Sequence, residues 1–333
     1  MSVLMDVQNL TKTFADTAFK LGPKRPPVVA VDDVSFQVMK GETLAVVGES
    51  GCGKSTLGRL LLHLIQPDSG TVVFQDDDMS AMSAGQIRQM RQRMQMVFQD
   101  PFGSLSPRRT VADIIAEPMD SFKLCETRKA RREKVADLLR MVGLPPTYMD
   151  RKPRQFSGGQ RQRIGIARAI SVDPAFIVAD EPVSALDVSI QAQIINLMQD
   201  LQEQKEFSFL FIAHDLAVVR HIADRVAVMY LGRIVEMGTR DQIYSAPHHP
   251  YTEALLSAAP HPDPTRRTDR IILHGDVPSP SNVPSGCAFR TRCPLAQDIC
   301  AKERPPLREI EPGRTTACHF ATAHPISNRS TAA

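Results

Sequence analysis

Several features that would have settled the class of this 333-residue chain at once are missing from it. No apolar run approaches the roughly 18 residues that a membrane-spanning helix needs, so any membrane role has to come through partners. The N-terminus, Met1-Ser2-Val3-Leu4-Met5-Asp6, has no cationic segment followed by an apolar stretch, and a secretory signal is not expected. The net charge of +3 is too small for the concentrated basic face of a nucleic-acid binder. No internal repeat is evident. Cysteine is scarce over most of the length: Cys52 and Cys125 stand alone, whereas Cys287, Cys293, Cys300 and Cys318 share the last 47 residues. Disulfides are rare in reducing cytosol, so a tail cluster of four points to metal before cross-links.

What is present is punctuated by motifs in a fixed order. Val34-Ser35-Phe36-Gln37-Val38 alternates apolar and polar positions as a half-buried strand does. Gly22-Pro23-Lys24-Arg25-Pro26-Pro27 is turn-rich and predicts a surface loop. Leu44–Val47 predicts a short apolar strand feeding Gly48-Glu49-Ser50-Gly51-Cys52-Gly53-Lys54-Ser55, a full G-x-x-x-x-G-K-[ST] match. After it, Leu57, Leu60, Leu61 and Leu64 mark one face of a helix that stops before Pro67. Strand, Gly-rich loop and helix are the context a phosphate-binding loop requires. The glycines let backbone N–H groups converge on anionic oxygens. In such a loop Lys54 reaches the β- and γ-phosphates and Ser55 offers its hydroxyl to Mg²⁺, beside Thr56. Cys52 occupies a variable position and is expected to be a small loop residue.

Further along, Met94–Phe98 predicts a strand ending at Gln99, and about 110–172 is helical in pattern. There Val135, Leu138, Leu139 and Val142 repeat at i, i+3, i+4 and i+7, with Arg128, Lys129, Arg131 and Arg132 on a solvated face. Phe176–Asp180 is an apolar strand closed by Asp180 and Glu181. Asp180 is placed to hold Mg²⁺ and Glu181 to act as general base; a turn-capping role for either acid before Pro182 is the bland alternative. Ile190, Ile194, Leu197, Met198 and Leu201 predict another helix, Phe207–Ala213 a strand, and Arg225–Tyr230 with Arg233–Met237 a hairpin around Leu231-Gly232. Prolines crowd the chain after about 245, and a boundary is expected near 262.

Between the P-loop and the carboxylate strand stands Phe156-Ser157-Gly158-Gly159-Gln160. The order P-loop, Ser-Gly-Gly-Gln, carboxylate strand resembles the ATP-binding cassette (ABC) ATPases. Many family members begin the signature with Leu where this chain has Phe156. The resemblance implies an α/β fold: a P-loop, RecA-like core with an antiparallel β subdomain, an inserted helical subdomain at about 100–172 and a small Cys-rich C-terminal extension. The cassette would span 1–262 and the extension 263–333. It implies that Gln99 joins the Mg²⁺ shell, that His214 contacts the γ-phosphate, that Asp187 in Ser184-Ala185-Leu186-Asp187 crosses a dimer interface, and that an aromatic stacks on adenine. Phe14 is the best match for that ring, with Phe19 a competitor. The signature, Ser157 to Gln160, would bind ATP held by an opposite subunit.

The tail resembles the dipeptide and oligopeptide importer branch, as do His249-Pro250-Tyr251-Thr252 and Gly103-Ser104-Leu105-Ser106-Pro107-Arg108. The C-x5-C-x6-C-x17-C spacing lacks the close pairs of typical zinc fingers. The resemblance implies a [4Fe–4S] cluster on the four cysteines; the alternatives are Zn²⁺, held by the cysteines or with His319 replacing one of them, and four free thiols. The implied partners are a second, non-identical ABC ATPase, two transmembrane permease subunits and an extracytoplasmic peptide-binding protein. No nucleic acid is implied, and the implied location is peripheral, at the cytoplasmic face of the inner membrane. An importer of nickel or glycosides on the same branch, or a non-transport ABC ATPase of DNA repair or translation, are the other functions to weigh. The latter typically carry a coiled-coil insertion or two cassettes, neither of which is present.

Overall fold

A computed structural model describes residues 2–15, 26–100, 102–258 and 271–321. Most of the predicted loop at 22–27, the competitor Phe19 and the boundary expected at 262 lie outside the described residues. The chain runs β1 (Val3–Phe14), β2 (Val28–Met39), β3 (Thr43–Val47), α1 (Lys54–Leu61), β4 (Ser69–Phe74) and β5 (Asp77–Asp78). Then come α2 (Ala84–Arg93), β6 (Met94–Val97), α3 (Val111–Ser121), α4 (Arg128–Met141), α5 (Gly158–Ile170), β7 (Phe176–Asp180), α6 (Val188–Lys205) and β8 (Ser208–Ala213). The remainder is α7 (Leu216–Ile222), β9 (Arg225–Tyr230), β10 (Arg233–Thr239), α8 (Arg240–Ser245), α9 (Pro250–Ala258), α10 (Asp298–Lys302), β11 (Arg308–Glu311) and β12 (Arg314–Thr316).

Two sheets organise these elements. Four strands, in the order β2-β1-β4-β5, form an antiparallel sheet. Eight strands, in the order β11-β12-β10-β9-β3-β8-β7-β6, form the central one. Its strands β9, β3, β8, β7 and β6 are parallel. The apolar run Leu44–Val47 in β3 follows from that position, because a central parallel strand is covered on both faces. Ala45 and Val47 enter one hydrophobic cluster with the helices; Leu44 and Val46 enter a second with α1 and the antiparallel sheet.

The helical segment packs as its periodicity predicts: Val135, Leu139 and Val142 are fully buried and Leu138 nearly so. Its basic face is less idle than a solvated stripe, since Arg131 spans Asp113 and Asp120, and Arg132 pairs with Asp150. The helix after the P-loop is shorter than expected. It ends at Leu61 because His63 takes a left-handed conformation, and Leu64 is left 47% exposed.

The C-terminal extension builds directly on the core sheet. β12 pairs with β10 through Glu236↔Thr316 and Met237↔Thr315, and β11 continues the hairpin. Phe289, 1% exposed, inserts among Tyr230, Tyr251 and His249 with ring centroids 5.3, 5.4 and 5.7 Å away. Burial holds the His249 imidazole down to about 4, so it stays neutral and its Nδ1 accepts the Tyr251 N–H at 3.1 Å.

Candidate nucleotide site

The P-loop closes a cavity of about 320 Å³ lined by Phe14, Val28, Ala30, Ser50, Gly51, Gly53, Lys54, Ser55, Thr56, Gln99 and Glu181. Residues predicted from four separate stretches of sequence therefore converge. Gly53 must be glycine: its φ is +106°, and a Cβ there would lie 2.0 Å from the Ala30 carbonyl oxygen. It caps α1 without a side-chain hydrogen bond, so the first N–H groups of that helix remain open to an anion. Lys54 is buried, and its ammonium donates to the carbonyls of Gly48 at 2.8 Å and Glu49 at 3.0 Å.

The carboxylate strand delivers its two acids differently. Asp180, 3% exposed, accepts a hydrogen bond from the Ser55 hydroxyl at 2.7 Å. Burial pushes its carboxyl above the usual range, against the Ser55 bond and the nearby Arg59. A hydroxyl and a carboxylate side by side are hard oxygen donors that fit Mg²⁺. Glu181 takes φ +45°, an uncommon conformation for a side-chain-bearing residue, held by its N–H donating to the Ile212 carbonyl at 2.9 Å. Its Oε2 accepts from Gln99 Nε2 at 2.9 Å and lies 3.2 Å from His214 Nδ1. That one oxygen is taken twice leaves Oε1 for a water.

Phe14 lies at the end of β1, opposite Val28, with its ring 41% exposed at the edge of the cavity and the Lys12 ammonium 5.7 Å from its centroid. Gly48, Glu49 and Cys52 do not line the cavity, although sequence counted them with it. Cys52 is buried and burial pushes its thiol up, which suits a small packing residue. Glu49 is engaged from outside the loop: Tyr251 Oη accepts its N–H, and Arg292 meets its carboxylate. In the sequence both Tyr251 and Arg292 stand only within stretches that resemble the importer branch, and neither carries a signal of its own.

The signature residues lie outside this cavity. Ser157 caps α5, accepting the Gln160 N–H while Gln160 Oε1 accepts the Ser157 N–H. A Cβ on Gly159 would come 2.6 Å from Ile190 of α6, which fixes that glycine by packing. Asp187 is exposed at the start of α6, beside Val188, which is 81% exposed.

The tail thiols are all free. Among the described residues no group of three or more His, Cys, Asp or Glu is set to hold a metal ion, so neither zinc nor a cluster finds support there. The four cysteines are nonetheless electrostatic neighbours, and Cys287 N–H donates to the Cys300 carbonyl at 2.8 Å. Burial raises the thiols of Cys287, Cys318 and Cys293, the last to about 11. Backbone N–H groups of Phe289, Leu295 and Phe320 point at the sulfurs of Cys287, Cys293 and Cys318.

A Gly-rich loop between a central parallel strand and an open helix N-terminus, with acids at the end of the strand two positions over, defines a P-loop ATPase, and the Ser157–Gln160 turn at the start of α5 matches the cassette signature. The family profile described as ABC transporter matches residues 31–184, and that described as oligopeptide/dipeptide transporter, C-terminal region, matches 235–300. A probable peptide ABC transporter ATP-binding protein of Sinorhizobium fredii is 56% identical over 96% of this chain and 92% of its own length. The oligopeptide transport ATP-binding protein AppF of Bacillus subtilis is 50% identical over 95% of this chain and 97% of its own. Among solved structures, a dimeric ATP-binding cassette in a post-hydrolysis state with ADP and phosphate is 28% identical, with a TM-score of 0.62, over 71% of this chain and 98% of that one. The chain belongs to the peptide-transporter branch of the ABC ATPases and is an ATPase. Among the described residues no helix is long and apolar enough to cross a membrane.

Proposed function

We propose that this chain is the motor subunit of an importer for di- and oligopeptides, closing against a second cassette over shared ATP. The observation that carries the paired mechanism is the separation of two donor sets. Lys54, Ser55 and the loop amides line the cavity, while the Ser157–Gln160 turn lies outside it. A phosphate-binding turn without a nucleotide in its own chain fits one supplied by another chain. The peptide cargo is supported by the names of the relatives and by the matched C-terminal region. Nickel or glycoside cargo would leave this subunit unchanged, because it does not touch the substrate.

When ATP enters, the Lys54 ammonium exchanges the Gly48 and Glu49 carbonyls for β- and γ-phosphate oxygens, and the open N–H groups of α1 face the same charge. Ser55 and Asp180 would hold Mg²⁺, which supplies charge neutralisation at the phosphates, and Gln99 borders the same ground. Oε1 of Glu181 accepts a proton from the attacking water as the O–P bond forms and the β–γ bridge breaks. Gln99 and His214 fix Oε2 meanwhile, and His214 would contact the γ-phosphate. The partner's signature donors complete the cage, with Asp187 at the interface, and Phe14 stacks on adenine. Two permeases and an extracytoplasmic binding protein complete the importer, with this subunit peripheral on the cytoplasmic face of the membrane.

The shared site has a direct test. Ser157→Arg, made in one cassette of the assembled transporter, should lower the turnover of the site on the opposite cassette by about 100-fold or more, as loss of a charge-stabilising donor set does. The same variant alone should keep its own affinity for ATP. Full hydrolysis by a strictly monomeric preparation, indifferent to Ser157→Arg, would refute the arrangement.

The four tail cysteines would hold a [4Fe–4S] cluster. A cube takes one thiolate per iron, so its ligands need not converge on a single point as those of one zinc ion must. N–H groups directed at three of the sulfurs oppose the burial that raises their thiols, the direction a charged thiolate ligand needs. Anaerobic purification should yield about four iron and four sulfide per chain and a brown absorption band. Stoichiometric zinc in a colourless protein would hand the site to zinc; metal-free protein would leave four free thiols.

A further inference from the structure

Glu49 is the second residue of the P-loop, yet its N–H and its carboxylate are engaged away from the nucleotide cavity. Its N–H donates to the Tyr251 hydroxyl oxygen at 2.9 Å. Its two carboxylate oxygens accept from both terminal nitrogens of Arg292, at 2.7 and 3.0 Å. Its carbonyl, in turn, accepts from the Lys54 ammonium at 3.0 Å and from the Cys52 N–H at 3.3 Å. One residue thus joins the C-terminal part of the chain to the lysine that meets the phosphates.

Both grips rest on fixed supports. Tyr251 is fully buried on α9, and its ring packs on Tyr230 at 4.7 Å and Phe289 at 5.4 Å. The Arg292 side chain is only 8% exposed. It lies between Cys287 and Cys293, three residues past the inserted Phe289, whose carbonyl accepts the Arg292 N–H at 3.0 Å. A guanidinium fork on a carboxylate fixes direction as well as distance. The loop it holds is rich in glycine, the residue with most conformational freedom to lose when phosphate binds. Ordering such a loop beforehand removes part of the cost of binding.

We infer that Arg292 and Tyr251 are positioning residues for ATP. By gripping Glu49 they hold the P-loop with Lys54 aimed at the phosphates, and through Arg292 nucleotide affinity depends on the C-terminal extension. The inference rests on the P-loop as the ATP site and does not depend on what the four cysteines hold.

The test uses the full chain and a fluorescent ATP analogue with Mg²⁺. Arg292→Ala and Tyr251→Phe should each raise Kd, and KM for ATP, about five- to tenfold, roughly 1 to 1.4 kcal/mol. The turnover number at saturating ATP should change less than about twofold. Glu49→Ala combined with Arg292→Ala should bind no more weakly than the worse single variant, because both remove one interaction. Arg292→Glu should weaken binding, and adding Glu49→Arg should recover most of the loss. A merely structural role would lower the melting temperature without this split or rescue. Kd within twofold of wild type for both Arg292→Ala and Tyr251→Phe, or additive effects of Glu49 and Arg292, would overturn the proposal. Should Arg292→Ala fail to fold, Tyr251→Phe and the charge swap decide it, since the former keeps the buried ring and the latter the ion pair.

Discussion

A Glu181→Gln chain is expected to bind MgATP about as tightly as wild type while its turnover falls by roughly two to four orders of magnitude, the share a positioned general base supplies. That is about 2.7 to 5.4 kcal/mol of barrier. The geometry makes the substitution clean. Oε2 of Glu181 accepts from Gln99 at 2.9 Å, and the amide oxygen of a glutamine can accept the same bond. The backbone at φ +45° is held by the N–H bond to Ile212, which the side-chain change leaves alone. What disappears is the carboxylate oxygen able to take a proton from water. Lys54, Ser55 and Asp180 remain, so the phosphate cradle is unaltered and ATP should accumulate unhydrolysed between paired cassettes. Steady-state phosphate release, nucleotide titration and sizing of the ATP-bound species measure the three parts. Turnover within threefold of wild type would remove Glu181 from the role of base. His214→Ala, with Glu181 intact, separates the two: it should cost less, because its imidazole is 55% exposed and bonds to the same Oε2 that Gln99 already fixes.

How far the molecule was legible in its sequence depended on how local the physics was. The P-loop, with its strand and helix, is one continuous stretch in which glycine conformations, an apolar strand and an open helix end all follow from short-range chemistry. The hairpin around Leu231-Gly232 was legible from two short strand-forming runs separated by a glycine, although the positive φ of Leu231 was not. Pairings between distant segments left no such trace. Arg292 and Glu49 are 243 positions apart, and nothing in either neighbourhood announces a partner. The union of β12 with β10 was hidden for a related reason: three residues, Arg314-Thr315-Thr316, are too short for an alternating pattern to show. Proline and cysteine drew attention to the tail as a separate appendix, whereas its strand and its Phe289 join it to the core. The N-cap of α5 shows a signal with two meanings, since Ser157 with Gln160 is at once a capping box and the family signature.

Removal of Glu236 should cost about 3–5 kcal/mol, the expected loss when one partner of a buried ion pair is deleted. Glu236 is fully buried on β10 and Arg314 on β12 is 1% exposed. Arg314 Nη2 donates to Glu236 Oε1 at 2.7 Å and also to the Ala246 carbonyl. The carboxylate serves the backbone as well, accepting the N–H of His248 at 2.8 Å and of His249 at 3.0 Å. In Glu236→Ala those bonds are lost, and the buried guanidinium keeps only the half-exposed Glu311 carboxylate, 3.5 Å from Nη1, as counter-charge. In Arg314→Met the carboxylate keeps its two backbone donors, so the loss should be smaller. Replacing both by methionine removes both charges and should cost less than the sum of the single changes. Because the pair joins the strand of the core to the strand of the extension, the weakness should appear first at their seam. Limited proteolysis of Glu236→Ala should cut within 271–321 at protease levels that leave that segment of the wild type intact, and the urea midpoint should fall. A loss below about 1 kcal/mol would mean that water reaches the pair and screens it, as at a surface salt bridge. Retention of ATP affinity by a chain so loosened would also show that Arg292 reaches Glu49 without the support of β12, through Phe289 and its aromatic neighbours alone.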